Sequence, residues 1–150
     1  MGESSSSQDY LKTILILQKK NGLVRSVDVA TEMNVTKASV CNAMKKLKKK
    51  DLIFFDEEGH IFFTPSGEKT AEGIYSKHLL LAKLLIISGV DEETAEQEAC
   101  LMEHDISDET YGRLKEILDL YTSEEYKGVC QNCRFRPEMI MDICNCKNQQ

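Results

Sequence analysis

Apolar residues follow a helical rhythm through the first fifty positions and then switch to a different one. Leu11, Ile14, Leu15, Ile16 and Leu17 lie between Gln8 and Gln18, and predict a first helix ending near Asn21-Gly22. Ser26 reads as the N-cap of a short second helix, Val27 to Met33. Asn34-Val35 makes a tight turn and Thr36 supplies the next cap. Val40, Met44 and Leu47 then recur at helical spacing, so the third helix is amphipathic through Lys50. Cys41, inside that pattern, reads as a small packing residue. Two apolar arms follow, Leu52-Ile53-Phe54-Phe55 and His60-Ile61-Phe62-Phe63, around the polar stretch Asp56-Glu57-Glu58-Gly59. That is the pattern of a β-hairpin. Helix, helix, turn, helix and hairpin in this order spell a winged helix-turn-helix. Its third helix is expected in the major groove and its wing along the DNA backbone.

Thr64-Pro65-Ser66-Gly67 marks a boundary, with the proline placed to open a helix. A long helix is expected from about Glu68 to Ile87, with an apolar stripe through Leu80, Leu84 and Ile87 and with His78 on it. Asp91 to Met102 and Ser107 to about Tyr121 read as two more, Ser107 being a cap. Beyond them periodicity fades until Met139 to Ile143. The expected fold is mainly α with a small β-wing: a winged helix-turn-helix over residues 1–66, a helical dimerisation domain over 67–122, and a Cys-rich tail over 123–150.

Composition fits an ordinary soluble protein: 41% hydrophobic, 29% charged and no Trp in 150 residues. No apolar run nears the roughly 18 residues that a membrane crossing needs. Met1 to Gln8 lacks the features of an export signal, so the cytoplasm is the expected location. The net charge of −6 argues against DNA binding until its distribution is considered. Lys37, Lys45, Lys46, Lys48, Lys49 and Lys50 crowd the third helix, and most acids lie at Asp56 to Glu58 and beyond Asp91. A local basic face is what phosphate binding requires. Thr36, Lys37, Ser39 and Asn42 occupy the first turns, which a recognition helix presents to base edges. Lys45 and Lys46, with Lys48 and Lys49, are suited to phosphates. The alternative is that these residues simply cap and solvate a helix. No nucleophile-base pair, phosphate loop or nucleotide fingerprint is present, so neither an enzyme nor a small-molecule substrate is expected.

The richest chemistry lies at Cys100-Leu101-Met102-Glu103-His104. On a helix, the i, i+3, i+4 spacing puts Cys100, Glu103 and His104 on one face. Thiolate, carboxylate and imidazole together suit a first-row transition ion, and not calcium or magnesium. Cys130, Cys133, Cys144 and Cys146 form a CxxC and a CxC motif in the tail. They are compatible with structural zinc, a redox-sensitive dithiol pair, an iron-sulfur cluster or uncombined thiols.

Taken together, these elements resemble the diphtheria-toxin-repressor family of metal-dependent regulators, including its manganese-responsive branch. The likeness covers about Ser7 to Leu120. It rests on Asp9-Tyr10-Leu11, the winged helix, Thr64-Pro65-Ser66-Gly67, Lys77-His78 and Glu98-Ala99-Cys100-Leu101-Met102-Glu103-His104. The resemblance implies a homodimer that binds operator DNA when loaded with Fe(II) or Mn(II) and so controls metal homeostasis. It implies Cys100, Glu103 and His104 as ligands of the primary site, Asp9 where the manganese branch has an aspartate, and His78 as a ligand. Departures are also present. Lys12 stands where the manganese branch has a second carboxylate, Ala82 where the iron branch has one, and Glu96 where a histidine is expected. One good site follows, with at best a weaker second one from His78 and Glu96. A winged-helix regulator that responds to redox state through its cysteines is the alternative.

Overall fold

The computed structural model describes residues 5–122, in six helices and one two-stranded hairpin. The tail cysteines Cys130, Cys133, Cys144 and Cys146 lie outside the described residues. The chain divides into two compact units, Met1–Ser76 and Lys77–Gln150, and the division falls inside a helix.

In the first unit, α1 spans Ser5–Asn21, α2 Ser26–Glu32 and α3 Lys37–Lys49. Strands β1 (Ile53–Phe55) and β2 (Ile61–Phe63) pair antiparallel, with Ile53 opposite Phe63 and Phe55 opposite Ile61. Leu11, Ile14, Val24, Val29, Val40, Leu47, Ile53 and Ile61 are all buried in one apolar cluster. The hairpin is joined to α1 by Gln18, whose Nε2 donates to the Ile61 carbonyl at 2.7 Å.

Local chemistry explains where the elements start. Thr36 caps α3, its Oγ1 accepting from the Ser39 amide at 3.2 Å. Ser26 does not cap α2, contrary to expectation. It is the first helical residue, and the Asp28 carboxylate instead reaches back to accept from the Arg25 amide at 2.7 Å. Helix α4, Pro65–Ile87, starts about one turn earlier than the pattern suggested. Thr64 explains this: its Oγ1 donates to the Asp51 carbonyl at 2.6 Å and accepts from the Gly67 amide at 3.1 Å. Gly67 is required because a Cβ there would collide with the Leu52 carbonyl oxygen. In the wing turn Gly59 has φ +81°, the left-handed region that glycine enters without steric cost.

Helices α4, α5 (Glu92–Met102) and α6 (Asp108–Thr122) carry the second unit. Asp91 caps α5 through the Thr94 amide at 3.0 Å, and Ser107 caps α6 through the Thr110 amide at 3.1 Å. Leu81, Ala82 and Ala99 form its buried apolar cluster, with Ile106 and Leu114 packed against it. Along the apolar stripe of α4, Leu80 is buried, Leu84 half-buried and Ile87 exposed in the single chain. The fold is therefore mainly α with a small β-wing.

Candidate metal centre and DNA-reading helix

Cys100 lies in the last turn of α5, and the helix stops at Met102. Glu103 is the C-cap and keeps helical torsions (φ −57°, ψ −27°), with its amide donating to the Ala99 carbonyl at 3.0 Å. His104 follows in the turn. The expected single helical face is thus a helix end, yet the donors still converge. One ligand atom from each of Cys100, Glu103 and His104 lies within 4.8 Å of the others. Donors that share one tetrahedral ion at bond lengths of about 2.0–2.3 Å lie roughly 3.3–3.8 Å apart, so a cluster of this size closes on an ion by side-chain adjustment. The carbonyl end of α5 adds partial negative charge, which favours a cation there.

Burial sharpens the case. The Glu103 side chain has no exposed surface. A carboxylate taken from water needs compensation by hydrogen bonds, a counter-charge or a metal. Its Oε2 approaches His78 Nδ1 to 2.8 Å, at ion-pair distance but outside aligned hydrogen-bond geometry. Its Oε1 lies 3.6 Å from His104 Nε2. The other nitrogen of His78, Nε2, meets Glu96 Oε2 at 2.7 Å. Ala82, at the position of the iron branch's carboxylate, is buried in the apolar cluster and offers no donor.

Sequence reasoning gave Lys77 no role. Its Nζ donates to the Ile106 carbonyl at 3.0 Å and pairs with Asp108 at 2.8 Å, which fixes the turn after His104 to α4. The hydrogen bond and the charge of Lys77 hold the Asp108 carboxyl below its ordinary pKa. No local signal joins residues so far apart in sequence.

In the first unit, Asp9 is half-buried on α1 and Lys12 is buried. Thr36, Lys37, Ser39, Asn42, Lys45 and Lys46 are all exposed on α3, while Val40, Met44 and Leu47 are buried. The two hydroxyls are partly committed to the cap, with Thr36 Oγ1 and Ser39 Oγ 2.9 Å apart. Cys41 is exposed as well, not a packing residue, because it falls on the lysine-bearing side of the helix. The wing carries its own buried imidazole: His60 Nδ1 lies 2.9 Å from Asp56 Oδ2 and 3.7 Å from Glu58 Oε2. Partial desolvation raises the Asp56 pKa, but hydrogen bonds from the His60 side chain and amide outweigh it, and the net shift is downward.

Two family models match the chain. The iron dependent repressor N-terminal DNA binding domain matches residues 4–61, and the iron dependent repressor metal binding and dimerisation domain matches residues 64–128. An uncharacterised HTH-type transcriptional regulator of Methanocaldococcus jannaschii is 32% identical over 120 residues, which is 79% of this chain and 96% of that protein. The chain belongs to the iron-dependent repressor family. It is therefore related to metal-dependent transcriptional repressors with a winged-helix DNA-binding domain and a dimerisation domain. Within the family, the HTH-type regulator MntR of Bacillus pumilus is 27% identical over 124 residues, covering 83% of this chain and 86% of that one. The structure of the manganese regulator SloR superimposes with a TM-score of 0.67 at 29% identity, over 75% of this chain. This chain spans about half of SloR, 53% of its length. Among the described residues, no helix is long and apolar enough to cross a membrane.

Proposed function

We propose that this chain is a homodimeric repressor whose operator affinity rises when Cys100, Glu103 and His104 hold a divalent transition metal. The observation that supports this most is the convergence of three chemically different donors within 4.8 Å, one of them a wholly buried carboxylate. Asp9 completes the ligand set, as the resemblance implies, and gives the DNA-binding half a stake in the ion. The bound metal supplies positive charge that offsets the clustered acids and orders their side chains. Metal and DNA then strengthen each other equally, since a coupling free energy is reciprocal.

Fe(II) is the proposed physiological ion and Mn(II) the second choice. A thiolate ligand favours metals above manganese in the usual affinity order, whereas Asp9 and Glu103 suit manganese. Lys37, Asn42, Lys45 and Lys46 contact the operator, supported by their exposure on α3. Thr36 and Ser39 do so with whatever capacity the cap leaves them. Cys130, Cys133, Cys144 and Cys146 are proposed as a separate structural zinc site, on the strength of their spacing.

A duplex selected from random DNA in the presence of Mn(II) provides the test. Its gel shift is expected with Fe(II) or Mn(II) and lost with chelator, and Glu103→Ala is expected to remove the metal response while leaving a folded dimer. Equal activation of Glu103→Ala would remove this site from the account.

A further inference from the structure

His78 lies between two carboxylates, an arrangement with a use other than metal ligation. Its Nε2 meets Glu96 Oε2 at 2.7 Å and its Nδ1 meets Glu103 Oε2 at 2.8 Å. Both ring nitrogens therefore already face a carboxylate oxygen. A ligating imidazole must instead turn a nitrogen lone pair to the ion. The carboxylate one helical turn after His78 in the iron branch is also missing, since Ala82 is packed with Leu81 and Ala99 in the apolar cluster.

We propose that His78 is a positioning residue for Glu103, held in its turn by Glu96, and does not ligate an ion of its own. This inference rests on the reading of Cys100, Glu103 and His104 as the metal set. The Glu103 carboxylate has two oxygens. Contact with His78 engages Oε2, and this leaves Oε1, 3.6 Å from His104 Nε2, as the oxygen presented to the cluster. Without that contact a buried carboxylate retains several rotamers, and the ion must order it on binding. Glu96 acts one step further out. Its side chain is half exposed, but it fixes the ring's rotation through Nε2. Partners of this kind typically change metal affinity by about 10–100-fold although they never touch the metal.

Cobalt(II) titration of the full chain tests the proposal, with the thiolate-to-cobalt band that Cys100→Ser removes as the reporter of this site. His78→Ala and Glu96→Ala are each expected to weaken binding at this band by about 10–100-fold. Band positions and the number of cobalt ions per chain are expected to stay as in the parent protein. His78→Gln, whose amide is polar and can reach Glu103, is expected to recover part of the loss. Because Glu96 is half exposed, its variant keeps the test alive should His78→Ala misfold. A shifted band or one fewer ion per chain in His78→Ala would make His78 a ligand and overturn the proposal. Unchanged affinity in Glu96→Ala would overturn it too. If the parent protein shows no band that Cys100→Ser removes, the metal set itself is wrong and the inference about His78 goes with it.

Discussion

The two units bury apolar surface in contrasting ways. From Tyr10 to Ile74 the first closes a continuous core drawn from α1, α2, α3, the hairpin and the start of α4. Among the described residues of the second, the apolar cluster is small, Leu81, Ala82 and Ala99 with Ile106 and Leu114 packed on it, and large side chains are left in the open: Leu79, Ile86, Ile87, Leu101, Met102 and Leu120. What the second unit has in place of a large core is polar and buried, namely His78 and Glu103, with Lys77 half-buried. A reading head that must keep its shape in solution and on DNA needs its own core. A unit matched by a dimerisation domain can leave apolar surface for a second copy and devote its interior to charge.

Truncation inside the first core breaks this contrast hardest. Leu47→Ala is expected to cost about 2–5 kcal/mol in urea unfolding, because Leu47 is fully buried and its neighbours cannot collapse around the gap. That loss should not depend on protein concentration, whereas unfolding of the second unit should shift with concentration if a partner copy completes it. Gly67→Ala comes next, at about 1–3 kcal/mol, because the Leu52 backbone must move to admit a methyl group. An intact transition midpoint in that variant would show that the Thr64–Gly67 junction yields more easily than its geometry indicates.

Leu101→Glu sharpens the comparison from the other side. Leu101 is 74% exposed in the single chain, so the charge should change subunit stability by no more than about 0.5 kcal/mol. Sedimentation should nevertheless show a weakened dimer, and an unaltered association constant would place the interface elsewhere. Lys45→Ala and Lys46→Ala should each weaken binding to every duplex alike and lower the salt slope by about one. The smallest effect is on the wing. Asp56 titrates below its ordinary value in the folded chain, so its contribution to hairpin stability is present above the unfolded carboxyl pKa and fades as pH falls through the folded one. Asp56→Asn should flatten that acid dependence in amide-exchange rates of the wing.

Much of the fold was legible because short-range chemistry dictates it. Thr36 and Ser107 are capping residues directly before apolar periodicity, and each caps its helix, while Asp91, read as the first residue of its helix, is the cap of α5. Misread positions had a local signal that was outvoted. Cys41 has lysines four residues away on both sides, Lys37 and Lys45, which marks the solvent face more strongly than the cysteine's packing preference. Asp28 stands three residues after Arg25, where a carboxylate can reach back to a helix start, and this takes precedence over the hydroxyl of Ser26. At the candidate site, spacing suggested that Cys100, Glu103 and His104 belong together. Nothing local could reveal that Glu103 is wholly buried, or that Lys77 and His78 of α4 reach the ends of α5 and α6. Those contacts are made by tertiary packing between residues up to 31 apart, as in Lys77 with Asp108.

Reciprocal linkage tests the central claim most directly. Manganese affinity would be measured by calorimetry on the free protein and on the protein saturated with the selected duplex. The account expects DNA to tighten metal binding by the same factor by which metal tightens DNA binding, about 5–150-fold. Manganese bound with equal affinity in the two states, while DNA binding still required the ion, would contradict it.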